Sequence, residues 1–73
     1  MKKFNEAYCC LHNYLYNGIN NSRKLDQRLK YINSLIGLYD KMMEMNDNTR
    51  YKIINSLDKN KMEPKKLMTV FQI

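Results

Sequence analysis

Apolar positions recur every three or four residues along most of the chain, which is the period of an amphipathic helix. Near the start, Phe4, Tyr8, Leu11 and Leu15 follow one another at spacings of 4, 3 and 4, with Ala7 and Tyr14 on the flanks. This pattern predicts a helix over residues 3–17. Asn17-Gly18 supplies a stop, because glycine readily takes the left-handed conformation after a helix. Asn20, Asn21 or Ser22 can then cap the next helix by accepting a backbone N–H.

The middle of the chain predicts a second helix over residues 22–45. At about 100° per residue, every apolar residue from Leu25 to Met45 falls on one arc. The arc is roughly 200° wide, whereas an ordinary surface helix needs about 100°. It divides into two adjacent seams. Leu25, Leu29, Ile32, Ile36, Tyr39 and Met43 form one, with strict 4-3-4-3-4 spacing. Tyr31, Leu35, Leu38, Met42 and Met45 form the other. A helix with two seams is expected to be gripped from two sides. The second seam is the one assigned to an apolar docking surface.

Asp47 or Asn48 can cap a third helix over residues 48–59, with Ile53, Ile54 and Leu57 facing inward and Asn60 at its end. Glu63-Pro64 opens a short fourth helix, since proline at the first helical position loses no hydrogen bond. Leu67, Met68, Val70 and Phe71 are its apolar residues. Valine and threonine are scarce and no run alternates, so strands are not expected. The reading is all-α: a small three- to four-helix bundle around a long central helix at 22–45, with residues 1–73 forming a single domain.

Length adds a constraint. At 73 residues and 8.8 kDa the chain is too short for a multidomain enzyme, a Rossmann fold or a barrel. A domain of this size buries only about 60% of its unfolded surface and usually needs a staple. Cys9 and Cys10 are the only cysteines, and adjacent cysteines close no useful loop. They read as reduced thiols in a reducing compartment. One histidine is too few for a convincing metal site, so a partner chain is the expected staple. The basic opening lacks the apolar run of a signal peptide, because Asn5, Glu6, His12 and Asn13 interrupt it. No stretch reaches the length of a membrane span. A cytoplasmic location is therefore expected, without membrane contact.

Candidate chemistry is sparse. Cys9 and His12 are three apart on a helix, close enough for a thiol to meet a base. No third group orients the imidazole, and no glycine-rich turn, HExxH or EF-hand loop is present. An enzyme is not expected, nor is a cofactor. Charge is more informative. Thirteen Lys and Arg against seven Asp and Glu give net +6 and a pI near 9.5. Arg23, Lys24, Arg28 and Lys30 load the N-terminal half of the second helix, and Arg23 and Lys24 fall in its first turn, where the helix dipole disfavours cations. Arg23, Gln27, Lys30, Ser34 and Lys41 align on its polar side as a ridge able to track phosphates. A second basic patch is Lys59, Lys61, Lys65 and Lys66, flanking Pro64.

The segment from Arg50 to Leu57, followed by Met62 to Met68, resembles the opening of a helix-turn-helix module, which implies a small dimeric DNA-binding regulator. The leading expectation is different: a non-enzymatic binding protein that docks on a protein or ribonucleoprotein partner, its basic ridge against nucleic acid or an acidic surface. More than half of the chain is Phe, Tyr, Met, Ile, Asn and Lys, residues with A/T-rich codons. Such small chains in low-GC genomes suggest an inhibitor carried by a phage or mobile element, acting in the host cytoplasm on a defence nuclease or transcription complex. A third reading is a structural homo-oligomer, built as a dimer or larger on the 4-3 seam.

Overall fold

The computed structural model describes residues 2–57 and 62–73. Four helices follow in order: α1 (Lys2–Asn21), α2 (Leu25–Glu44), α3 (Asp47–Ser56) and α4 (Pro64–Phe71). No strand occurs among the described residues. The all-α bundle expected from the periodicity is what forms.

Its organising helix is α1, not α2. It packs against each of the other three helices. Its inner stripe of Phe4, Ala7, Leu11 and Leu15 is completely or almost completely buried. Ala7 lies in that stripe rather than on its flank, and Tyr8 lies at the margin, half-buried. The small alanine lets a neighbouring helix come close. The Cα envelope measures 37 × 27 × 17 Å. Its short axis accommodates two helix layers, since packed axes lie about 8–10 Å apart. A helix in a two-layer slab keeps one face uncovered.

Helix α1 runs through Gly18 instead of stopping there. A Cβ built on Gly18 would lie 2.6 Å from the ring of Tyr31. Glycine is therefore present for close approach, and its backbone stays in the right-handed region. Ser22 closes the helix, with its backbone N–H and its hydroxyl both donating to the Gly18 carbonyl at 3.0 and 2.6 Å. Neither Asn20, Asn21 nor Ser22 caps α2. That position belongs to Lys24, whose side chain makes no capping bond. The expected start at 22 is thus three residues early, and Arg23 precedes the helix rather than lying in its first turn.

The sequence reading expects both seams of α2 to be gripped, but they are not gripped alike; one is buried and the other is largely exposed. Leu35 and Leu38 are buried, and Tyr31, Met42 and Met45 pack against the core. Leu25, Leu29, Ile36, Tyr39 and Met43 are exposed, with Ile32 between. The assignment of Tyr31, Leu35, Leu38, Met42 and Met45 to a docking surface is therefore corrected: they hold the chain together. Both seams are apolar, so shape decides between them. The gap at Gly18 accepts the Tyr31 ring, and this fixes the rotation of α2 about its axis.

Helices α3 and α4 close the opposite end. Asn46, one residue before the expected cap, accepts the Thr49 backbone N–H at 2.9 Å and the Thr49 hydroxyl at 3.1 Å. Helix α3 stops at Ser56, and Asn60 lies outside the described residues. Pro64 begins α4 as expected. Gln72 ends it in the left-handed region at φ 60°, its N–H donating to Thr69 and that of Ile73 to Met68. This pair of bonds is a Schellman motif. The rings of Phe4 and Phe71 meet at 5.6 Å, and the Arg50 guanidinium sits 5.6 Å over Phe4.

Candidate nucleic-acid interface

At the connection between α1 and α2, a shallow hollow opens on the surface. Helix α1 contributes Tyr14, Asn17, Gly18 and Asn21 to its walls. The connection adds Ser22, Arg23 and Lys24, and α2 adds Gln27 and Tyr31. The two tyrosine rings meet edge to face, with centroids 5.9 Å apart and planes at 74°. Hydrogen bonding with Tyr31 raises the Tyr14 pKa above the ordinary 10.0, and burial adds to the shift. Arg28 braces the connection from its other side, its Nε donating to the Ser22 carbonyl at 2.6 Å. Arg28 is thus partly committed to holding the turn.

The hollow continues along one flank of α2. Gln27, Lys30 and Ser34 line the next depression together with Tyr14, Tyr31, Asn33 and Met68. Ser34 and Lys41 line a third beside Gly37, Gln72 and Ile73. The ridge of Arg23, Gln27, Lys30, Ser34 and Lys41 therefore exists as a spatial line. Its charge is uneven, however. The first two depressions contain no carboxylate, whereas Asp40 and Glu44 border the third. Arg23, Lys24 and Lys30 all project into solvent beside the first two depressions. None of these three has a carboxylate at ion-pair distance among the described residues, where Lys66–Glu63 at 4.0 Å is the one ion pair.

This combination has a chemical sense. Ammonium and guanidinium groups take phosphate oxygens. Side-chain amides from Asn17, Asn21, Gln27 and Asn33 can donate to and accept from base edges. Tyrosine offers a face or edge on which a base can stack. Tyr14, Asn17, Asn21 and Asn33 are not among the site residues that the sequence points to. The first three are spaced at 3 and 4 on one face of α1, a stripe that becomes visible only when that helix is carried past Gly18.

The other candidates are dispersed. Lys65 and Lys66 are exposed on α4, and Lys66 approaches Glu63. Lys59 and Lys61 lie outside the described residues. Helix α3 ends at Ser56 and α4 begins at Pro64, and residues 58–61 between the two halves of the helix-turn-helix resemblance lie outside the described residues. Cys9 is exposed, and the half-buried Cys10 thiol donates to the Met62 carbonyl at 3.3 Å. His12 is not paired with Cys9. Its Nε2 lies 2.7 Å from the Tyr39 hydroxyl, and its ring neighbours Tyr8 and Tyr16. Among the described residues no group of His, Cys, Asp and Glu could hold a metal ion. No described helix is long and apolar enough to cross a membrane. No protein family, curated protein or solved structure matches the chain.

Proposed function

We propose that this protein is a non-enzymatic binding protein that engages nucleic acid, free or exposed within a larger nucleoprotein, through the basic end of its α1–α2 hairpin. One observation carries the reading: Arg23, Lys24 and Lys30 surround a tyrosine- and amide-lined hollow without a carboxylate in its walls. Unpaired cations of one sign raise the local concentration of an anionic partner. The aromatic pair favours a strand whose bases are accessible over a closed duplex. The finer form of the proposal is an inhibitor of phage or mobile-element type that occupies a nucleic-acid-facing surface of a host machine. Small size, net +6 and a bias towards A/T-rich codons support that form.

The test is fluorescence anisotropy with a labelled single-stranded oligonucleotide and its duplex, over a series of salt concentrations. Affinity should fall steeply with salt. Replacing Arg23, Lys24 and Lys30 together by alanine should weaken binding and reduce the logarithmic salt slope by about 2, at about 0.7 per phosphate contact on a single strand. Tyr14→Phe and Tyr31→Phe should be tolerated, whereas exchanging the base for an abasic spacer should reduce affinity. Absence of binding at low salt, or binding indifferent to the triple substitution, would refute the proposal.

A further inference from the structure

We infer that the exposed seam of α2 is the interface of an antiparallel two-fold dimer of this chain. The inference is independent of the nucleic-acid reading, because the seam faces away from the basic hollow and shares no residue with it. Leu25 is 71% exposed, Leu29 49%, Ile36 52%, Tyr39 42% and Met43 86%. Tyr16 of α1 continues the patch at 53%. Large apolar patches on a soluble chain mark interaction surfaces.

Spacing identifies the occupant. The 4-3-4-3-4 succession is the seam of a coiled coil, in which knobs of one helix enter holes of another. It reads the same from either end. A second α2 laid antiparallel, with Ser34 at the level of the two-fold axis, therefore matches every position. Leu25 meets Met43 of the other copy, Leu29 meets Tyr39, and Ile32 meets Ile36. Six layers result, and no apolar position faces a charge. An isologous contact requires this self-complementarity of a single patch.

Area supports the same conclusion. The six exposed side chains present on the order of 700 Å² per chain, so a two-fold contact would remove roughly 1,400 Å² in total, within the range of specific stable interfaces. The slab geometry explains the need. Inside the chain, among the described residues, the second seam of α2 is covered, whereas the first is met only where Tyr39 reaches His12 and at the half-buried Ile32, and a domain of this size gains a second apolar layer by pairing.

Sedimentation equilibrium tests the inference directly. Wild-type protein should show twice the 8.8 kDa chain mass at tens of micromolar. Ile36→Glu and Leu29→Glu alter solvent-exposed positions, so they should retain full helicity by circular dichroism. Each should raise the dimer dissociation constant by about a hundredfold or more, since each removes a buried side chain from both copies. Tyr51→Glu, exposed on α3 away from the seam, should leave the dimer intact. For orientation, Cys9→Ser and Cys10→Ser can be combined with Asn33→Cys, which places a thiol beside the axis on the same side in both copies. A short bismaleimide should then link the chains. A wild-type chain that stays at single mass at hundreds of micromolar overturns the inference and leaves the seam to a different protein. A dimer that survives both glutamates, or one that Asn33→Cys cannot link, overturns this arrangement.

Discussion

Replacing Gly18 by alanine separates two physical effects of opposite sign. In an unobstructed helix interior the change stabilises by about 0.8–1 kcal/mol, because alanine has less backbone entropy to lose. Here the new Cβ would lie 2.6 Å from Tyr31 ring carbons. Carbon atoms in contact normally sit about 3.5–4.0 Å apart, so the ring must retreat by about 1 Å. Tyr31 is half-buried, packs against the core and pairs with Tyr14. Overpacking of this kind costs about 1–3 kcal/mol, which exceeds the helix gain. Gly18→Ala is therefore expected to destabilise the fold by about 1 kcal/mol in urea unfolding followed by circular dichroism. In a Tyr31→Ala background the obstruction is gone, and the same change should stabilise by nearly the full helix increment. Gly37→Ala is the internal control. Its Cβ would meet Ile73 at 3.7 Å, an ordinary contact, and the variant should be more stable than wild type by about 0.5–1 kcal/mol. If Gly18→Ala stabilises the wild-type chain as much as Gly37→Ala does, Tyr31 swings aside freely and the account of how α2 is oriented fails.

Two other expectations concern the seams and the tyrosines. Leu38→Ala, at a fully buried position, should cost about 2–5 kcal/mol, whereas Leu25→Ala at a concentration too low for association should cost less than about 0.5 kcal/mol in the same unfolding assay. Similar losses at both positions would contradict the assignment of the seams. Tyr14 and Tyr8 have pKa values raised above 10.0, Tyr14 mainly by hydrogen bonding with Tyr31 and Tyr8 mainly by burial. The unfolded chain then releases these protons at lower pH than the folded one. Stability contributed by the two groups is fully present below pH 10 and falls as pH rises beyond it, which an alkaline unfolding series would detect. Tyr14→Phe should flatten part of that decline.

Much of the architecture could be read from periodicity alone. The four helices, the opening of α4 at Pro64 and the linear ridge along α2 all follow from local rules that act within a few residues. The orientation of α2 does not. Its two seams differ little in apolar content, and the choice between them depends on Gly18, a residue one helix away. The same glycine reads as a stop because its helix-breaking tendency is a local property, whereas its use against Tyr31 is a tertiary one. The tyrosine and amide walls of the hollow were hidden for the same reason. Tyr14, Asn17 and Asn21 share a face only if α1 continues to Asn21. Arg28, chosen for its charge, is held by the Ser22 carbonyl, a contact that depends on the path of the turn.

Helix α1 packs against every other helix, most extensively against α2, and that has a dynamic consequence. The α1–α2 hairpin is closed by neighbours in sequence, whereas α3 and α4 must return across most of the chain to reach Phe4. Contacts of low sequence separation form early and open last. Detachment of the carboxy-terminal pair can therefore occur as a sub-global event while the hairpin stays zipped. Both outward-facing surfaces, the cationic tip and the greasy ridge of α2, belong to that more persistent half, so breathing of the molecule would leave the two proposed contact surfaces in place. Amide exchange should accordingly be slower in the middle of α1 and α2 than in α3.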